Sequence, residues 1–117
     1  MKRGDIVLVE LPSSASHVQS GHEQVGTRPA LVVHQDATIS SLPVVMIIPF
    51  TSNPSVSRFS HVIPVGPSSG TGLTIQSYLM VFQLRAIDKT RIKKKIGSLE
   101  ESTMRRVAEE VKKLLGV

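Results

Sequence analysis

Apolar and polar positions divide the chain into short apolar runs, one long polar stretch and a helical stripe near the C-terminus. Asp5 to Glu10 reads Asp-Ile-Val-Leu-Val-Glu, closed by Pro12, and its length and β-branched content predict a strand. Residues 12 to 26 then lose all periodicity and are rich in Ser, His, Gln and Gly. A loop of that length inside a small domain is more often functional than decorative. The apolar pattern resumes over Pro29 to Gln35 as a second strand and over Pro43 to Thr51 as a third, which runs into the turn-forming cluster Thr51, Ser52, Asn53, Pro54. His61 to Val65 predicts a short fourth strand whose proline is tolerated only at an edge or terminus.

Gly66 to Gly72 has the glycine content of a phosphate-cradling loop but lacks the Gly-Lys-Ser/Thr ending and a following helix pattern, so it reads as a hairpin connection. Leu73 to Asp88 is long enough for two strands or one strongly bent one, with Gln83 and Arg85 on a common face if a strand carries both. Lys89 to Lys95 suggests a short basic turn of helix. The C-terminal helix has the strongest pattern: Ser98 and Glu101 have the spacing of a capping box, and Met104, Val107, Ala108, Val111, Leu114 and Leu115 recur at three- and four-residue steps. Gly116 then supplies a stop. With no linker or composition break, the expected architecture is one domain over 1–117: a small, mostly antiparallel barrel with a helix packed on it.

Composition adds bounds. At 117 residues and 40% apolar content the chain can bury one real core. It has no cysteine, which rules out disulfides and thiolate metal sites and fits a reducing compartment. The apolar run after the basic start is far shorter than a signal-peptide core, and no run is long enough to span a bilayer, so a cytoplasmic location is expected. A formal charge of +5 favours an anionic partner, nucleic acid foremost. Much of the excess sits in Lys89, Arg91, Lys93, Lys94 and Lys95, which as a group suit either an RNA backbone or a solvated face. Phe50, Phe59, Tyr78 and Phe82 are the only aromatics, so RNA binding would lean on charge and hydrogen bonds rather than stacking.

Among chemistry-bearing residues, Arg28 stands out. Pro29 fixes its own φ and biases Arg28 toward an extended backbone where polar loop becomes apolar strand. On the residues alone a catalytic group, a phosphate clamp and a surface charge all remain open. The four histidines, 17, 22, 34 and 61, are scattered without a His-x-x-x-His pair, so no metal site is expected. Gly66-Pro-Ser-Ser-Gly70 matches the Gly-x-Ser-x-Gly spelling but lies in the stretch read as a hairpin connection, with no helix pattern after it, so no nucleophile elbow is expected. His17 and His22 share the long loop and are read as solvated histidines, with an acid and base pair as the sharper alternative. What remains is a set of polar groups at strand ends: Arg28, Thr51, Ser52, Gln83 and Arg85.

Five stretches in order then give a resemblance that covers nearly the whole chain: Lys2 to Val9 (Lys-Arg-Gly-Asp-Ile-Val-Leu-Val), Gly26 to Val32 (Gly-Thr-Arg-Pro-Ala-Leu-Val), Pro49 to Ser52 (Pro-Phe-Thr-Ser), Gln83 to Asp88 (Gln-Leu-Arg-Ala-Ile-Asp), and Ile96 to Leu99 (Ile-Gly-Ser-Leu) with the closing helix. On these the chain resembles the MazF/PemK family of toxin endoribonucleases. The resemblance implies an SH3-like barrel of the CcdB/PemK kind, a homodimer, cleavage of single-stranded RNA with neither metal nor cofactor, and a MazE-like antitoxin whose tail occupies the RNA groove. It carries the family's catalytic arginine and threonine onto Arg28 and Thr51, and implies RNA contacts from Ser52, His22, Glu23, Gln24, Gln83, Arg85, Lys93 and Lys94. Many relatives have an acid before the glutamine of the late motif, where this chain has Phe82; a core position is expected for it, a base-stacking one being the alternative. A non-enzymatic toxin of the same fold acting on a protein target such as gyrase, and a weakly catalytic RNA-binding regulator, are the competing readings.

Overall fold

The computed structural model describes residues 1–11 and 26–117. His17, His22, Glu23 and Gln24 therefore lie outside the described residues. The elements are β1 (Asp5–Glu10), β2 (Thr27–Val32), α1 (Asp36–Ile39), β3 (Val44–Thr51), β4 (Val62–Val65), β5 (Ser77–Met80), β6 (Arg85–Asp88), β7 (Ile92–Ser98) and α2 (Glu101–Leu115), with 3₁₀ turns at Pro54–Arg58, Val81–Gln83 and Lys89–Arg91.

β3 organises the sheet. Of its eight residues, Ile47 to Pro49 pair with β2 along one edge, while the other edge carries β6 against Val44 to Ile47 and β5 against Phe50 and Thr51. Every pairing is antiparallel, and the remaining order runs from β4 through β5, β3, β2 and β1 to β7. Phe50 faces Leu79 and Ile47 faces Arg85, so three steps along β3 match six along its partner. The excess is taken up by the 3₁₀ turn Val81–Gln83, which splits the long apolar stretch into two strands lying end to end. That turn also breaks the two-residue period, so Gln83 and Arg85 do not share a strand face as expected.

Alternation along β3 gives each face its own core. Ile48 and Phe50 join Ile6, Leu31, Ile63, Leu79, Val81, Met104 and Val107 in one cluster; Val45 and Ile47 join Val7, Val9, Ala30, Val32 and Ile87 in the other. Pro64 is exposed on the edge strand β4, where its missing N–H costs no ladder bond.

Several boundaries differ from the sequence expectations. β2 begins at Thr27, two residues earlier than expected, and ends at Val32, so Arg28 is the second residue of the strand, at its start as expected. The expected basic helical turn shrinks to Lys89–Arg91, and Lys93, Lys94 and Lys95 belong to β7, where pairing with β1 outweighs local preference. Asp88 caps that short turn: its Oδ1 accepts the Thr90 backbone N–H at 2.9 Å and the Thr90 hydroxyl at 2.8 Å. These bonds, the backbone one first, hold its carboxyl below the usual carboxylate value.

The capping box is also overturned. Ser98 ends β7 with its N–H donated to the Gly70 carbonyl at 3.0 Å, and the N-cap is Glu100, which makes no side-chain cap bond. With the backbone of Ser98 held in the strand, the helix starts only at Glu101, which leaves Ser98 two residues ahead of the N-cap position. The helical stripe itself stands, with Met104 and Val107 buried and Val111 and Leu114 packed beside them. Leu115 lies off the stripe and is 59% exposed. Gly116 ends the helix at φ 75, a left-handed value that puts its N–H 2.8 Å from the Lys112 carbonyl.

Candidate active site

The β2–β3 register, Val32 with Ile47, Leu31 with Ile48 and Ala30 with Pro49, reaches Arg28 and Thr51 when it is continued by two residues. Both then fall at the same sheet end, on the face that carries Ala30, Val32 and Ile47. The sequence places an arginine and a threonine twenty-odd residues apart, and antiparallel pairing of β2 with β3 brings them to one end of the sheet, where both line one cavity. A cavity of about 430 Å³ opens at this end, and Arg28, Thr51 and Ser52 all line it.

Thr51 is 8% exposed, and its Oγ1 accepts the backbone N–H of Asn53 at 3.2 Å. With that lone pair engaged, the hydroxyl hydrogen is left to donate. Arg28 is half-buried, which lowers the dielectric around its guanidinium while keeping one side on the cavity.

Lys94 reaches the same cavity from β7. It pairs with Leu8, which pairs with Pro29 on β2, so two strand spacings separate it from the residue beside Arg28. The neighbouring lysines do other work: Lys93 is 3.2 Å from Glu10, and Lys95 is 3.3 Å from Asp5, a carboxylate only 2% exposed whose other oxygen accepts the Lys2 N–H at 2.9 Å. Asp5 Oδ1 has no hydrogen bond of good geometry, so the Lys95 ion pair is its electrostatic compensation.

Thr27, Thr74 and Ser77 complete the polar lining. Sequence reasoning passed over all three. Thr27 lies within the Gly-Thr-Arg-Pro stretch and was within reach; Thr74 and Ser77 sit in a featureless segment, and only pairing of Tyr78 with Thr51 brings them in. Ser77 is buried, and its hydroxyl donates to the Ile75 carbonyl at 3.0 Å, which folds the segment against the cavity.

The described lining thus combines a guanidinium, an ammonium and several hydroxyls, with no aspartate, glutamate or histidine. Such a site attracts and orients an anion. Gln83 is exposed in its 3₁₀ turn, Arg85 is half-buried opposite Ile47, and Lys93 faces Glu10; none of the three lines the cavity. His34 is structural: its Nδ1 accepts the Met46 N–H at 3.3 Å, so the neutral ring carries its proton on Nε2, 3.0 Å from the Thr38 hydroxyl. No group of three metal-ligating side chains converges among the described residues.

Comparison with known proteins bears on this arrangement. The family described as PemK-like, MazF-like toxin of type II toxin-antitoxin system matches residues 2–115. A relative named Endoribonuclease MazF from Staphylococcus saprophyticus is 29% identical over 117 residues, covering all of this chain and 92% of the relative. One of the same name from Staphylococcus epidermidis is 30% identical over 104 residues, covering 89% of this chain and 82% of the relative. Among solved structures, MazF from Deinococcus radiodurans superposes with a TM-score of 0.75 at 21% identity, covering 100% of this chain and 97% of that one. An endoribonuclease in complex with its cognate antitoxin, from a mycobacterial species, gives 0.73 at 18% identity, covering 100% and 96%. These two likenesses establish the CcdB/PemK-like fold, an SH3-like barrel with a C-terminal helix.

Proposed function

Since this chain belongs to the PemK-like, MazF-like toxin family of type II toxin-antitoxin systems, we propose that it is an endoribonuclease that cuts single-stranded RNA at the Arg28–Thr51 cavity without a metal ion. The observation that carries this reading is the cavity's cationic, hydroxyl-rich lining: Arg28, Lys94 and the hydroxyls of Thr51 and Ser52, with no carboxylate among the described residues.

In this reading the neighbouring 2′-oxygen of the RNA attacks phosphorus and loses its proton, while the bond from phosphorus to the 5′-oxygen breaks and that oxygen gains one. The products carry a 2′,3′-cyclic phosphate and a 5′-hydroxyl. Negative charge grows on the phosphoryl oxygens along this path. Arg28 meets it with a planar fork that stays charged at any working pH, and Thr51 adds a hydroxyl donor held by Asn53. Each preorganised donor contributes about 3 to 4 kcal/mol when water is excluded. Arginine is a poor proton acceptor, and the described lining offers no imidazole or carboxylate. Arg28 and Thr51 therefore act by stabilising charge, and proton removal falls to solvent or to a group outside the described residues.

The chain works as one domain in the cytoplasm, pairs as a homodimer and is restrained by a cognate antitoxin, as the mycobacterial relative's complex supports. Among the described residues no helix is long and apolar enough to cross a membrane. Incubating the purified protein with a long single-stranded RNA and a chelator tests the reading. Discrete fragments with 5′-hydroxyl ends are expected, and an Arg28→Ala variant that folds normally should give none. A gel shift without cleavage would make the protein an RNA-binding regulator, and neither shift nor cleavage would point to a protein target.

A further inference from the structure

We propose that Phe59 and Phe82, with Arg58, form a stacking platform for a nucleobase of the RNA strand beyond the Arg28–Thr51 cavity. This inference rests on the RNA-cleaving reading and extends it to a subsite outside the cavity. Phe82, expected in the core, is only half-buried and belongs to neither core cluster. It meets Phe59 edge to face, ring centroids 5.5 Å apart and planes at 65°. Phe59 is 46% exposed, and the Arg58 guanidinium lies 4.7 Å from its ring centroid. Two rings and a planar cation at the surface are the components on which unpaired bases stack, through π-faces and cation–π attraction.

The platform is built rather than accidental. Asn53 accepts the Ser55 N–H at 3.0 Å, the Ser57 hydroxyl donates to the Pro54 carbonyl at 2.8 Å, and the Phe59 N–H donates to the Val56 carbonyl at 2.9 Å. Phe59 is thus presented by a tied 3₁₀ turn that begins three residues after Thr51. Phe82 comes four residues after Tyr78, which pairs with Thr51, so its backbone is within about 14 Å of Tyr78 and about 20 Å of Thr51. A strand whose phosphate sits in the cavity reaches that distance in a few nucleotides.

A second copy of the chain is the other occupant to weigh. The exposed aromatic surface is small beside the roughly 800 Å² that each partner of a standard interface buries. A stacked arginine and a net charge of +5 also favour a polyanion over a like-charged copy.

The test uses short 2′-O-methyl oligonucleotides, which lack the attacking hydroxyl, in two forms: one bearing bases throughout and one abasic along its length. Binding is followed by fluorescence anisotropy, and cleavage of a long RNA by the wild-type chain is measured separately. The wild type should prefer the base-bearing strand. Phe59→Ala should weaken that strand's binding about tenfold while leaving the abasic strand's unchanged, and Phe59→Trp should preserve the preference. Equal losses on both strands, or no loss on either, would overturn the platform while the RNA reading stands on the cleavage result. A shift of Phe59→Ala from dimer to monomer in sedimentation would overturn it in favour of self-association. Failure of the wild type to cleave the long RNA would instead remove the reading beneath it.

Discussion

Thr51 has two roles carried by one oxygen, and they separate by substitution. Its Oγ1 accepts the Asn53 N–H, which holds the turn after β3, and its hydrogen is the donor available to the cavity. Thr51→Ser keeps both and should retain most activity. Thr51→Val is nearly isosteric but removes both, so kcat should fall about 100-fold or more, the loss typical of one preorganised donor, with a smaller stability loss from the unpaired N–H. Single-turnover cleavage beside thermal melting resolves the two. Arg28→Lys keeps the charge but not the fork, and should recover only part of what Arg28→Ala loses. A different residue sets a pH dependence of folding. The Asp88 carboxyl is held below its ordinary value by the Thr90 bonds. Its contribution is therefore complete above the ordinary carboxylate range and is lost as pH falls through the lowered value, because the unfolded chain binds the proton first. Asp88→Asn retains an accepting side-chain oxygen but cannot titrate, so its melting temperature should decline less steeply on the acid side than that of the wild type.

Between elements, the loop before β5 is clamped to β7 by contact too close for any side chain. A Cβ added at Gly97 would lie 2.3 Å from the Thr71 carbonyl carbon, and one at Gly72 would lie 2.2 Å from the Ile96 carbonyl oxygen at a φ of 76. The neighbours are backbone, so relief requires the strands to part and the Ser98 to Gly70 bond to break. Gly97→Ala should destabilise the fold by about 2 kcal/mol or more, read as a lowered denaturation midpoint. Because Gly72, Leu73 and Ile96 line the cavity, cleavage should fall even where the variant remains folded. This clamp was not legible in the sequence: Gly72 sat in a stretch read as a hairpin connection and Gly97 in one of the stretches of the family resemblance, and close approach of β7 is a tertiary fact. β1, β3 and the α2 stripe were legible, because their apolar patterns are long enough to fix a period. The capping box failed because Ser98 had a strand to finish. The lysine run failed because pairing of β7 with β1 overrides a local preference. Of the candidate site, Arg28, Thr51 and Ser52 stood out in the sequence as strand-end polar groups, and the family resemblance gave two of them a catalytic role; their convergence is seen only once β2 and β3 pair and one cavity takes in all three.

Across the whole molecule, the charge of +5 is less available than its count suggests, and the fold decides which part is. Lys93 and Lys95 are opposed by Glu10 and Asp5, Lys113 lies 3.8 Å from Glu110, and Lys112 lies 3.9 Å from Glu109. Lys94 makes no ion pair among the described residues and lines the cavity with Arg28. The lysine run that reads in the sequence as one basic patch is therefore a single cavity-lining cation, Lys94, flanked by two that are opposed by carboxylates at the strand edges. For single-stranded nucleic acid, each neutralised phosphate contributes about 0.7 to the slope of log affinity against log salt. Lys94→Gln should lower the magnitude of that slope by about 0.7 for an uncleavable 2′-O-methyl strand, with a matching loss of affinity at low salt. Lys93→Gln frees Glu10 at an exposed edge and should leave the slope nearly unchanged, since that lysine is already answered by a carboxylate. Equal slope changes in the two variants would mean that the strand binds across the whole β7 surface rather than being drawn into the cavity through Lys94.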